Sequence, residues 1–264
     1  MAAILWLNDL PLWAVVLVLV GGSIVLSIIG TAVSGILVGE QQLSLNNVVG
    51  GFNFIFISEV LAGFLGFLLF GVYDRYDAMR AEVVNEVIDI TVLDRLAAAF
   101  PAGTRIQLRE GIKEYARQVV DVEWPQLRAR NARLSAMSAL DTLDYTFAAV
   151  EPATRKHLEV LHLTQDLLKE IRDRRGIRAL RSLGSLQVFL WGVTFTVMAA
   201  TIIFPWMFGS PNVNATVLMS ILSSVLIASV VLVVLKLSYP FSGEYGILPT
   251  PYSAFIQEVS ARGS

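Results

Sequence analysis

The stretch "FISEVLAGFLGFLLF", residues 56–70, reads as a membrane helix interrupted by one charge, Glu59. About 20 largely apolar residues in a helix cross the roughly 30 Å hydrocarbon core of a bilayer. Runs that approach or exceed that length occur at about 11–38, 54–73, 186–208 and 213–237, so four transmembrane helices are expected. The chain as a whole agrees: 55% of its 264 residues are hydrophobic, 16% are charged, and the mean hydropathy is +0.63. Trp6, Trp13, Trp206 and Tyr239 lie near the ends of the runs, as interfacial aromatics do. The first run is expected to be retained, because nothing basic precedes it and it is too long for the apolar region of a signal peptide.

Orientation follows from lysine and arginine, which accumulate in short cytoplasmic flanks. The 39–53 and 209–212 connections have neither, whereas Arg75, Arg80, Lys169, Arg172, Arg174, Arg175, Arg178 and Arg181 border the long middle segment. Both termini and that segment are therefore expected in the cytoplasm. The expected layout is a first helix pair at 1–73, a cytoplasmic helical domain at 74–185, a second helix pair at 186–239 and a cytoplasmic tail at 240–264. The fold class is an all-α integral membrane protein.

Apolar spacing makes the middle segment helical. Leu108, Ile112, Tyr115, Val119 and Val122 form one stripe, and Val160, Leu163, Leu167 and Ile171 form another within a helix over 153–175. Thr104 and Gln107 have the spacing of a capping box. No proline or glycine lies between Tyr73 and Met79, so the second span is expected to run on beyond the membrane.

An acid at the centre of a membrane helix costs about 2.5 to 3.5 kcal/mol, and less toward its ends. Glu59 sits a turn or two from the outer end. It is either a neutral acid bonded to a neighbouring helix, a group reaching a wet interface, or one member of a ring around an axis that favours cations or stores protons. Ser58, Ala62 and Gly66 fall four residues apart, a spacing that lets another backbone come close, whether from this chain or from a second copy. Glu59, Gly63, Gly66 and Phe70 are the candidate pore-lining residues, and Asp74, Arg75 and Asp77 the candidate cytoplasmic mouth. The further acids of the emerging helix, Glu82, Glu86 and Asp89, read as a solvated face.

Catalytic signatures are absent: no phosphate-binding glycine loop, no HExxH, no GxSxG and no dinucleotide fingerprint. His157 and His162 point roughly 140° apart on a helix, which disfavours a metal site. There is no cysteine, and the net charge of -2 gives no bulk attraction for nucleic acid. No enzyme activity, metal or cofactor is expected.

"YPFSGEYGILPTPYSAFIQEV", residues 239–259, resembles the terminal signature of bacterial bestrophin-like domain proteins, matched here by Pro240, Phe241, Ser242, Gly243 and Pro251. "YDRYDAMRAEVVNEV", residues 73–87, resembles that family's exit from the second span, and Trp191, Phe208-Gly209 and Leu218-Met219 also fit. The resemblance covers about 55–258. Ser238 departs from the acidic residue often found there, and Glu59 is not part of the pattern. The family's likeness to bestrophin anion channels implies a bacterial inner-membrane protein whose second helices surround a pore in a homo-oligomer, by that likeness a pentamer. The expected partners are membrane lipid and inorganic ions, and no calcium clasp is implied. The expected function is an ion channel; the alternative is a non-conducting scaffold or regulatory subunit that binds a protein through its cytoplasmic helices.

Overall fold

A computed structural model describes residues 2–45, 47–131, 137–184, 186–209 and 212–262, and its described residues form helices and no strand. In chain order these are α1 (Ala2–Asp9), α2 (Leu12–Val38), α3 (Glu40–Leu45), α4 (Asn47–Ala97), α5 (Ala102–Gln118), α6 (Trp124–Arg128), α7 (Met137–Ala148), α8 (Arg155–Arg181), α9 (Val188–Ile203), α10 (Val213–Leu237) and α11 (Thr250–Arg262). Four stretches are long and apolar enough to span a membrane: Leu12–Val38, Gly50–Ala97, Val188–Met207 and Val213–Leu237. The chain divides into two compact units, 1–75 with 185–238, and 76–184 with 239–264.

In the first unit, α2 packs along α10 through small hydroxyl side chains. Ser23, Ser27 and Thr31 recur every four residues on α2 and face Ser220 and Ser224 on α10; all five are buried. Ser23 Oγ donates to Val20 O at 2.8 Å and lies 3.4 Å from Ser224 O, while Thr31 Oγ1 lies 3.3 Å from Ser220 Oγ. Small side chains let the backbones approach, and the hydroxyls supply the attraction that apolar surface cannot provide inside lipid. Gly30 continues this face because the Trp206 ring occupies the space a Cβ would need. At the other end of α10, buried Lys236 donates to the carbonyls of Asn8 and Leu10 at 3.1 and 2.9 Å, satisfying the end of α1 as a cation there should.

The second unit has a conventional apolar core. Met79, Val83, Ile90 and Leu93 of α4 meet Leu108, Ile112 and Tyr115 of α5, Leu140 and Leu143 of α7, and Leu168 and Ile171 of α8. The terminal stretch joins this core. Phe241 packs edge-on against Trp124 at 5.5 Å, and Trp124 Nε1 donates to Ile247 O at 3.0 Å. Gly243 makes the turn possible with φ +79°, a region that penalises a Cβ.

Three sequence expectations need correction here. Val122 is exposed, because a π-helical turn at Val119–Glu123 widens the helix and turns Glu123 inward instead. The widening precedes Pro125, which has no N–H for the carbonyl of Asp121 and whose ring crowds it. Leu163 is also exposed, because the buried line of α8 runs through Val160, Thr164, Leu168 and Ile171. Thr104 and Gln107 form no capping box: α5 starts at Ala102 after Pro101, with no side-chain cap bond. Capping falls instead to Thr154, whose Oγ1 accepts from His157 N at 3.2 Å to start α8.

Gly30→Ala is expected to cost about 1–3 kcal/mol through overpacking against Trp206. Gly35→Ala, whose added carbon meets nothing within 4 Å in the chain, should be nearly neutral. Thermal unfolding in detergent, followed by tryptophan fluorescence, compares the two.

Candidate functional site

Helix α4 runs for 51 residues. In the first unit one of its sides is committed to the rest of the chain. Phe54 stacks on Phe204 at 5.4 Å, while Leu61, Phe64 and Leu65 pack around Val197, Ile202 and Ile227. Leu68 and Val72 are buried on the same side.

The other side is covered by none of the described residues. At 100° per residue, Phe52, Glu59, Gly63, Gly66, Phe70 and Tyr73 fall within an arc of about 80°, and all six are exposed. A Cβ added at Gly63 or Gly66 would meet no atom within 4 Å. Ordinary packing within the chain therefore does not account for these glycines. Glu59 makes no hydrogen bond or ion pair among the described residues, so no neighbouring helix of its own chain neutralises it. Ser58 is half-buried and Ala62 exposed; Asp74, Arg75 and Asp77 are all exposed.

The second unit holds a different concentration of charge, beyond the apolar part of α4. Arg178 of α8 is 1% exposed, and groups from α4, α11 and the π-turn meet on its guanidinium. Nη1 donates to Glu86 of α4 and, at 2.8 Å, to the Tyr252 hydroxyl of α11. Nε donates to Glu123 Oε1 at 3.0 Å, and Nη2 reaches the same oxygen. Arg175 Nε takes the other Glu123 oxygen at 2.7 Å, and Tyr115 of α5 donates to Glu86 Oε1 at 2.7 Å. Two carboxylates thus meet two guanidiniums, and the Trp124 ring lies 5.6 Å from Arg178. Burial pushes the Glu86 carboxyl above its ordinary range, because Arg178 and the tyrosine hydroxyls offset only part of its desolvation. Glu123 is also pushed up by burial, but Arg178 and Arg175 outweigh that and hold it below the ordinary range.

Glu86 and Asp89 are accordingly not part of a solvated face: both are buried, Asp89 against Arg174 at 3.0 Å. Arg175 and Arg178 serve this network rather than an exposed basic flank. A signal for it was present in the sequence, since the buried line of α8, Val160, Thr164, Leu168 and Ile171, continues at helical spacing into Arg175 and Arg178. The family motif belongs here too: Pro240, Phe241 and Ser242 are buried, and the turn at Gly243 precedes the helix that brings Tyr252 to Arg178. Among the described residues, no group of three or more His, Asp or Glu side chains is placed to hold a metal ion.

Arg178→Met strands two buried carboxylates and is expected to cost about 3–5 kcal/mol, whereas Arg172→Met, which frees half-exposed Asp141 and Asp144, should cost under about 1 kcal/mol. Because the folded Glu123 titrates below the unfolded value of 4.5, its contribution is present above that value and is lost as the pH falls through the folded one. The deficit of Glu123→Gln should therefore be largest near neutral pH and shrink on acidification, as read by denaturant unfolding across a pH series.

Comparison with known proteins gives one family. The model of the bestrophin-like domain matches residues 21–252, which takes in the greater part of the first apolar helix, the other three whole, the charge network and the start of α11. No curated protein and no solved structure matches the chain. The match covers most of the sequence, and the chain belongs to the bestrophin-like domain family.

Proposed function

We propose that the protein is a homo-oligomeric ion channel of the bacterial inner membrane, with both termini cytoplasmic and with α4 of each copy lining a central pore. The observation that carries this reading is the uncovered side of α4, where unpaired Glu59 shares an arc with Gly63 and Gly66. Directed at acyl chains, that carboxylate would be costly; around a hydrated axis it is solvated, and the glycines leave room for water beside it. Glu59 then forms a ring that selects or holds ions, Phe70 forms an apolar collar further in, and Asp74, Arg75 and Asp77 surround the cytoplasmic mouth. Ser58 and Ala62 lie where adjacent copies approach.

The later part of α4 supports the same assembly. Val84 and Ile88 are 43% and 53% exposed, well beyond the last apolar stretch, where lipid does not cover them and a second copy does. The family supports this reading by its likeness to channels, which also suggests five copies. A scaffold role draws on Leu163 and Leu180 of α8, which are 55% and 72% exposed and offer a partner an apolar surface. Isolation with lipid intact separates the readings: identical chains alone fit the channel, and a stoichiometric foreign protein fits the scaffold.

The chain has no cysteine, so single-cysteine labelling needs no background removal. In bilayer recordings, Gly63→Cys and Gly66→Cys channels should lose most of their current on exposure to a charged thiol reagent, while Leu61→Cys, on the packed side, should respond little. Equal insensitivity of all three would place the pore elsewhere.

A further inference from the structure

We infer that the conducted ion is a cation and that Glu59 is the residue that selects it; this rests on the channel reading above. Short of their inner ends, the charge carried by the spans has a single sign. Between residues 10 and 73 the acidic and basic residues are Glu40 and Glu59 and no others, and between 185 and 235 there are none at all. An anion crossing the spans would meet no lysine, arginine or histidine side chain until the inner ends of the helices. Of the basic residues at those inner ends in the first unit, Lys236 is 5% exposed with its ammonium donating to the carbonyls of Asn8 and Leu10, and Arg75 directly follows Asp74. Lys236 is thus turned into the protein rather than toward a passage, and an acid adjoins Arg75.

The placement of Glu59 strengthens the sum. It is exposed on the uncovered side of α4, and no cation among the described residues pairs with it. A low-dielectric wall focuses the field of such a charge into the passage, and identical copies around an axis add their fields. Gly63 and Gly66, one and two turns further in, present no side chain that would strip a hydrated ion of its water. The outer approach has the same sign, because the 39–53 connection contains an acid and no base. This parts from the anion conduction that likeness to bestrophins suggests.

The test is the reversal potential of full-length protein in planar bilayers under an asymmetric KCl gradient, with oligomer size checked by gel filtration for every variant. The native chain should reverse on the potassium side. Glu59→Gln should lower the potassium-to-chloride permeability ratio by roughly an order of magnitude, and Glu59→Lys should invert it. Glu159→Gln, at an exposed acid of α8 in the second unit, should change the ratio less than about twofold. Reversal of the native channel on the chloride side overturns this inference and leaves the channel reading standing. A potassium-selective channel indifferent to both Glu59 variants overturns the role given to Glu59. Silence from folded oligomers overturns the channel reading and this inference with it.

Discussion

The burial of Arg178 between Glu86 and Glu123 is the constraint around which the second unit is arranged. A guanidinium removed from water is tolerated only when its donors are taken up by well-placed acceptors. Here they come from α4, from the π-turn before α6, and from α11, three elements far apart in sequence. An apolar side chain at position 178 would pack with many alternative partners, because grease is not directional. A planar fork of five donors accepts few arrangements, so the network selects one docking of these helices over its neighbours. Its net worth in stability is small by comparison, since the attraction largely repays desolvation.

Several local irregularities follow from meeting that demand. The π-turn at Val119–Glu123 disturbs an otherwise regular stripe, and what it achieves is to present Glu123 to two arginines at once. The terminal motif has a similar explanation. A left-handed glycine at 243 and the burial of Phe241 against Trp124 fold the end of the chain back, which delivers the Tyr252 hydroxyl to Arg178. The motif that identifies the family therefore holds the second unit together; none of its residues lies on the uncovered side of α4.

What the sequence disclosed and concealed divides along the same physical line. Four apolar runs and the helical middle segment could be read from composition and periodicity, since both report burial averaged over many residues. For the network, periodicity marks only the inward positions of Arg175 and Arg178 and says nothing of their partners. Charge patterning treats Glu86 and Arg178 as solvated because most glutamates and arginines are, and their pairing joins residues 92 apart. The exposed positions of Val122 and Leu163 escaped for a related reason: a single π-turn, or a choice between two adjacent stripes, rotates a side chain out of the core without changing the pattern's period.

Helix α4 contributes residues to both units. In each unit one side of the helix is spent on its own chain, through Leu61, Leu65 and Leu68 in the first and through Met79, Val83 and Glu86 in the second. In each unit another side is left bare, with Glu59, Gly63 and Gly66 in the first and Val84 and Ile88 in the second. Lipid does not suit the carboxylate, and water does not suit the valine and isoleucine of the second unit. In the proposed channel a second copy of the same helix would account for both, because a hydrated axis accommodates charge while flanking contacts between copies bury apolar side chains. In that proposal the small residues beside Glu59 would set how closely copies approach and how much room an ion keeps for its water.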